Sequence, residues 1–247
     1  QYRESLKDGR RVIDHNGEFI DNVATHSTLE NTVDRIAELH DKQFDPKTRD
    51  VMTYVDENTG NRKAIGWQVP TTKAHLYAKL KGVEEVTRTT LGMYGRPPDY
   101  GAMMAIGFLA TIDRIEKENK EFADNIRNYV KFSSENNLYS TDLIADAQSD
   151  RRIPPTEKPG RLRIVEDRDD GVVLYGSKVA GSIGNVAHFF TLSTTLGGGL
   201  QEDAAIWAGV PINSENLTLL MREPLAETGA DPEDHPLATR GEEVDNY

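Results

Sequence analysis

Leu162-Arg163-Ile164-Val165-Glu166-Asp167-Arg168-Asp169-Asp170-Gly171-Val172-Val173-Leu174-Tyr175 separates a β-rich half of this chain from the helical sequence before it. Two short apolar runs, Leu162–Val165 and Val172–Tyr175, flank Asp169-Asp170-Gly171. An Asp-Gly pair supplies the positive φ that a tight turn needs, so the segment reads as a β-hairpin. Phe189-Phe190-Thr191-Leu192, Ala204-Ala205-Ile206-Trp207 and Leu217-Thr218-Leu219-Leu220 are further strand candidates. Pro154-Pro155 and Pro159-Gly160 punctuate a loop before them. From about Leu138 onward the chain therefore reads as a β-barrel or sandwich.

Upstream of Leu138 the period changes to that of a helix. Ser27-Thr28-Leu29-Glu30 has the form of a capping box, followed by Leu29, Val33, Ile36, Ala37 and His40 at helical spacing and a stop at Asp45-Pro46. A second helix starts near Thr71 or Thr72, with Leu76, Leu80, Val83, Val86 and Leu91 as its apolar face. A third runs through Ala102, Met103, Ile106, Leu109, Ile112 and Ile115 after a cap at Asp99. A fourth covers about 118–134, with Phe122, Ile126, Tyr129 and Val130 on one side. Ahead of all four, Val12 to Ile20 reads as a small hairpin turning at Asn16-Gly17. The predicted class is α+β: a helical domain over 1–137, an antiparallel bundle in character, then a β domain over 138–247.

Composition narrows the function. The 247 residues carry a formal net charge of −12 and no Cys. An acidic balance without a Lys/Arg cluster argues against a nucleic-acid backbone as partner. The lack of Cys excludes disulfides, thiolate metal sites and Cys nucleophiles within these residues. No apolar run approaches the ~20 residues of a membrane helix, and the polar start carries no signal-like segment. The six His residues are scattered without an HxxxH pair, so a metal site has no anchor. His188 lies in an apolar strand and reads as a core or rim histidine. Leu196-Gly197-Gly198-Gly199-Leu200 lacks the spacing and the strand–helix context of a dinucleotide fingerprint, and neither a phosphate-binding P-loop nor a GxSxG elbow is present.

Three polar blocks remain. Gly95-Arg96-Pro97-Pro98-Asp99-Tyr100 is either a Pro-rich turn with a helix cap, or a pocket wall offering a guanidinium fork and a phenol to an anionic or phenolic oxygen. Gln148-Ser149-Asp150-Arg151-Arg152 is either a solvated loop or a cradle for a polar ring edge or phosphate. Gly181-Ser182-Ile183-Gly184-Asn185 is either a strand-connecting turn or a close backbone approach to a bound group.

Taken in order, these blocks resemble the 4-hydroxyphenylacetate 3-hydroxylase family. The opening Tyr2-Arg3-Glu4-Ser5-Leu6-Lys7-Asp8-Gly9-Arg10 is similar to its N-terminal signature, and Gly95 to Tyr100 to its GR-x-PDY block. Thr141 to Arg151 with Pro154-Pro155, Val173 to Ser182, and His235-Pro236-Leu237 resemble later blocks with similar spacing. The resemblance implies an acyl-CoA dehydrogenase-like fold: helical domain, β-barrel, and a C-terminal four-helix bundle that this chain, ending before the barrel is complete, does not include. It implies a two-component monooxygenase that takes FADH2 from a separate flavin reductase. Such an enzyme uses O2 to form a flavin C4a-hydroperoxide and hydroxylates a small phenol-like aromatic. A cytoplasmic homotetramer is implied as well. In the family pattern Arg96 and Tyr100 hold the phenolic oxygen, Gln148, Ser149, Asp150 and Arg151 contact FAD, Ser182 stands near the flavin ring, and Thr194 and Thr195 contact the substrate tail. Asp142 stands where the family has a His, and Asp146-Ala147 where it has Asn-Pro. A carboxylate beside a phenolate is repulsive unless one is protonated. Asp142 therefore pairs with Arg96, or accepts from an amine or amide substrate. Two other readings carry the same fold: a dehydratase of the 4-hydroxybutyryl-CoA type, whose iron–sulfur cluster needs Cys, and a non-catalytic flavin-binding subunit.

Overall fold

The computed structural model describes residues 1–94, 100–150, 152–154, 157–194, 202–224, 230–231 and 233–236. It is a mixed helix and sheet structure. The helices are α1 (Tyr2–Ser5), α2 (Glu30–Asp41), α3 (Arg49–Met52), α4 (Lys73–Thr90), α5 (Tyr100–Leu109), α6 (Ile112–Glu118) and α7 (Lys120–Glu135). Thr72 caps α4 as its sequence suggests, its hydroxyl accepting from the His75 N–H at 3.2 Å. The capping box ahead of α2 does not form. That helix begins at Glu30 behind Leu29, which has no side-chain oxygen to offer, and the Leu29 and Glu30 N–H groups go to the His26 carbonyl instead.

Two helical expectations are corrected. Only part of the expected apolar stripe of α4 is buried: Val86 faces inward with Gly82 and Thr90, while Leu76 and Leu80 are more than half exposed. The reason is proximity. A Cβ at Gly82 would lie 2.6 Å from the Ile65 side chain, so α4 turns its smallest residue toward the 3-10 turn Ile65–Trp67. The third helix is not continuous either. It breaks at Ala110-Thr111 into α5 and α6, where the Thr111 N–H and hydroxyl both turn back to the Phe108 carbonyl.

The strands are β1 (Val12–Ile13), β2 (Thr53–Val55), β3 (Arg62–Ala64), β4 (Ser140–Leu143), β5 (Ala145–Asp146), β6 (Arg163–Arg168), β7 (Gly171–Tyr175), β8 (Lys178–Val179), β9 (Phe189–Ser193), β10 (Trp207–Pro211) and β11 (Leu219–Leu220). The Asp169-Asp170 hairpin forms as expected, pairing β6 with β7 antiparallel. The expected strand at Ala204–Trp207 starts only at Trp207, because Glu202–Ala204 is a 3-10 turn. The pair β2–β3 lies between the stop at Asp45-Pro46 and the helix capped by Thr72, where no strand was expected. Among the described residues the pairings are β1–β11, β10–β9–β4, β2–β3, β5–β8 and β6–β7, which do not close into a barrel. The largest apolar cluster joins Leu6, Val12, Leu29, Val33 and Ile36 to Tyr139, Phe190, Ile212 and Leu219, so the helical and strand-rich parts share one core.

Candidate functional site

The site is organised by the parallel pairing of β4 with β9. Tyr139 starts it, its carbonyl accepting from the His188 N–H at 2.8 Å. Ser140 then lies opposite Phe189, Thr141 opposite Phe190, Asp142 opposite Thr191 and Leu143 opposite Leu192. All four β4 residues are buried. Asp142 and Thr191 are both 0 % exposed, and the Thr191 hydroxyl donates to the Thr141 carbonyl. A carboxylate at that depth is tolerated only with polar company. Tyr100, Asp142 and Ser182 each have an interaction partner.

Tyr100 opens α5, and Gly101 sets how close that helix comes to β4. A Cβ at Gly101 would lie 2.0 Å from Ser140 Oγ, 2.7 Å from its Cβ and 2.8 Å from its carbonyl oxygen. Only a glycine lets the first turn of α5 rest on the start of β4. The structure thereby brings the helix entry that carries Tyr100 to the strand that carries Asp142. Rings anchor the helices around it: Phe108 of α5 lies 4.4 Å from Trp207 of β10, between centroids, and Tyr129 of α7 stands edge-on to Phe189 at 5.6 Å.

Beyond Leu143 the chain is pinned by Lys178. Its buried ammonium donates to the Ile144 carbonyl at 2.9 Å and to Asp146 Oδ1 at 2.7 Å, and β5 pairs with β8 around it. Asp146 is therefore an ion-pair partner of a lysine whose side chain is 3 % exposed. The loop that follows carries Gln148, Ser149 and Asp150. Gln148 is exposed, Ser149 half-buried, and Asp150 is held by Arg152 through a fork of hydrogen bonds at 2.6–3.0 Å. Those bonds hold the Asp150 carboxyl below the ordinary carboxylate range.

After β8 the chain turns sharply over the same strands. A Cβ at Gly181 would meet Leu143 at 2.7 Å and Phe190 at 3.1 Å. Ala180 and Ile183, either side of Gly181-Ser182, both have left-handed backbone, with φ of 62° and 60°. Such strain in non-glycine residues persists only where the surroundings fix it. Next to it, the wholly buried Asn185 carboxamide has neither its oxygen nor its nitrogen hydrogen-bonded. Thr194 ends β9. Its hydroxyl donates to the Ala204 carbonyl and accepts from the Ile206 N–H at 3.3 Å, so its polar capacity is spent on the 204–206 backbone. Arg96, Arg151 and Thr195 lie outside the described residues, as does the rest of 95–99. A small cavity of about 50 Å³ among Leu39, Met52, Ile65, Trp67 and Val86 is lined by none of these residues.

His188 behaves as the core or rim histidine expected, yet with a definite function in the frame. Its Nδ1 accepts from the Tyr139 N–H at 3.0 Å, and Nε2 lies 2.8 Å from Ser5 Oγ. Ser5 donates its own proton to the Tyr2 carbonyl at 2.6 Å, so Nε2 carries the imidazole proton and donates to Ser5. Burial, then the nearby Arg10 charge, pushes the His188 pKa down to about 4. Sequence reading missed the Asp142–Thr191 juxtaposition and the Lys178–Asp146 pair. Neither has a local signal, since parallel register and a lysine reaching back more than thirty residues are tertiary facts.

Comparison with known proteins decides the family. The model of the 4-hydroxyphenylacetate 3-hydroxylase N terminal matches residues 1–247. The chain belongs to the 4-hydroxyphenylacetate 3-hydroxylase family. Among similar proteins of this kind, it is 33 % identical to the FADH(2)-dependent monooxygenase TftD of Burkholderia cepacia, over 100 % of the chain and 48 % of the relative. It is 34 % identical to the 2,4,6-trichlorophenol monooxygenase of Cupriavidus pinatubonensis, over 99 % of the chain and 48 % of that protein. The chain thus spans about half the length of the hydroxylase-family proteins it matches. The crystal structure of the oxygenase component (HpaB) of 4-hydroxyphenylacetate 3-monooxygenase complexed with FAD matches with a TM-score of 0.89 at 29 % identity, over 99 % of this chain and 50 % of that one. An archaeal 4-hydroxybutyryl-CoA dehydratase from N. maritimus shares the fold, with a TM-score of 0.82 at 19 % identity.

Proposed function

We propose that this chain forms the N-terminal part of an FADH2-dependent monooxygenase that hydroxylates a small, phenol-like aromatic compound with O2. The observation that carries this reading is the family match along all 247 residues together with the fold shared with an FAD-bound oxygenase component. A separate reductase as the source of FADH2, a homotetrameric assembly, a cytoplasmic location and an acyl-CoA dehydrogenase-like barrel built on the 138–247 part, with 1–137 as the helical domain, belong to the same proposal.

The residues present fit a flavin. The candidate contacts are an exposed carboxamide at Gln148, hydroxyls at Ser149 and Ser182, and a strained turn whose neighbour Asn185 retains unused hydrogen-bonding capacity. These are donors and acceptors for a polar ring edge and a phosphate, without the thiolate or carboxylate cluster a metal would need. FAD, once bound and reduced, supplies the activation of O2. The chain's own task is positional. Gln148, Ser149, Asp150 and Arg151 hold the cofactor, and Ser182 faces its ring. Arg96 and Tyr100 hold the substrate oxygen, with Gly101 fixing Tyr100 against β4. Thr195 contacts the substrate tail, and Thr194 shapes that wall by holding Ala204–Ile206. Burial of the β4–β9 pair keeps water from the reacting groups.

Asp142 sets the substrate's protonation. Beside a phenolate its charge is unfavourable, and it is offset either by Arg96 or by a donor on the substrate ring. Replacing Asp142 with His removes that charge and moves the site toward phenols. The Asp142→His variant is expected to turn over a phenol panel with kcat/KM at least about tenfold above the parent. No gain on any phenol would contradict this assignment. Arg96→Ala is expected to weaken binding of the aromatic substrate by about tenfold or more while FAD affinity stays within about twofold, as a charge-assisted contact made to one ligand only. Equal loss of both affinities by titration would overturn the Arg96 assignment. The dehydratase reading is weaker, because this chain has no Cys to hold a cluster and the likeness shows the fold alone.

A further inference from the structure

We propose that Tyr2, Ser5 and Arg10 form a clamp whose function is to hold the Ser182 turn in its strained shape, making the N-terminal signature a positioning element of the cofactor site. The inference rests on the flavin reading of Ser182 given above. Its physical basis is a run of contacts to consecutive residues just after that turn. Arg10 Nη1 donates to the Asn185 carbonyl and to the Ala187 carbonyl, both at 2.8 Å. The Tyr2 hydroxyl donates to the carbonyl between them, that of Val186, at 2.6 Å. Ser5 Oγ accepts from His188 Nε2. Four successive residues, 185 to 188, are thus tied through three side chains to one segment about 180 residues away in the chain.

The clamp is itself preorganised. Asp8 Oδ1 and Oδ2 take Arg10 Nε and Nη2 at 2.8 and 2.7 Å, a bidentate pair that fixes the guanidinium plane and leaves Nη1 for the two carbonyls. The Arg10 side chain is 3 % exposed, so this geometry is not shared with solvent. Asn213 Nδ2 donates to the Asp8 carbonyl at 3.2 Å, tying the same corner to the segment after β10. A core needs no such arrangement: a buried guanidinium is costly unless its position matters, and apolar side chains would fill the space at lower cost. What it secures is a turn with two left-handed non-glycine residues, Ala180 and Ile183, beside Ser182. Strain of that kind lasts only when neighbouring contacts over-determine it. The carbonyls of 185, 186 and 187 are the points where it is held.

The test uses the full-length protein and two variants. Tyr2→Phe removes one donor without changing shape, and Arg10→Lys keeps the charge but cannot bridge two carbonyls while paired to Asp8. Amide hydrogen exchange over 180–188 is expected to quicken about tenfold in both. The dissociation constant for FAD, measured by flavin fluorescence, is expected to rise about fivefold or more. In Tyr2→Phe the thermal midpoint should stay close to the parent's, which separates positioning from general stability. Unchanged exchange over 180–188 in both variants would overturn the clamp. Faster exchange with an unchanged FAD constant would overturn its cofactor role. Failure of the parent protein to bind FAD would overturn the flavin reading and this role with it, an outcome recognisable because it needs no variant.

Discussion

Lowering the pH from 6.5 to about 4 is expected to remove several kcal/mol of folding stability. Two histidines carry the effect. Burial pushes His40 down to about 4, and burial together with the Arg10 charge does the same to His188. The sign follows from linkage. Both folded values lie below the ordinary 6.5, so between 6.5 and 4 the unfolded chain binds more protons than the folded one. Stability from these groups is therefore full above 6.5 and is lost as the pH falls through that window. A displacement of this size corresponds to about 3 kcal/mol per histidine. That is a large share of the 5–15 kcal/mol typical of a domain. Protonated His188 would lose the Tyr139 N–H contact at the start of β4, and protonated His40 would lose the acceptor at Nδ1 that faces the Asn137 amide at 3.2 Å. Urea unfolding at pH 7.5, 6, 5 and 4 reads the effect directly. His188→Gln should flatten the profile by about half, and an unchanged slope in that variant would show that His188 titrates normally.

Gly101→Ala is expected to destabilise the protein by about 2 kcal/mol, although alanine is the better helix former. The propensity gain is up to about 1 kcal/mol. Against it stands a Cβ placed 2.8 Å from the Ser140 carbonyl oxygen and 2.7 Å from Ser140 Cβ, backbone-anchored atoms that cannot swing aside. Overpacking of this kind costs about 1–3 kcal/mol, and more where backbone must shift. Gly107 provides the control on the same helix. A Cβ there meets nothing within 4 Å, so Gly107→Ala should be neutral or stabilising by up to about 1 kcal/mol. Because α5 would be lifted from β4, Gly101→Ala should also raise KM for the aromatic substrate while Gly107→Ala leaves it unchanged. Equal stabilities for the two variants would refute the close approach.

What the sequence made legible follows from how local each signal is. Thr72 capping α4 and Asp169-Asp170 turning β6 into β7 are decided within a few residues, and both occur as read. The buried face of α4 was legible only at Val86, because Leu76 and Leu80 yielded to the tight seat of Gly82 on Ile65, a contact made only after folding. The capping box failed for a related reason: the turn at His26 satisfied the N–H groups first. The parallel pairing of β4 with β9 and the tie between β1 and β11 depend on residues far apart in the chain, so no periodicity foretells them. The site was legible as blocks of residue types. The seating of Gly101 on Ser140 and of Gly181 on Leu143 and Phe190 was not, and neither was the link from Tyr2 and Arg10 to residues 185–187.

The proposed reaction is oxygen transfer to an aromatic ring by reduced flavin. It is tested most directly by giving the full-length protein chemically reduced FAD, ¹⁸O2 and a panel of phenols and arylamines, and analysing the products by mass spectrometry. A hydroxylated aromatic product carrying one ¹⁸O atom is expected, formed only when protein, reduced FAD and O2 are all present. Reoxidation of FAD with hydrogen peroxide as the sole oxygen product, across the whole panel, would contradict it.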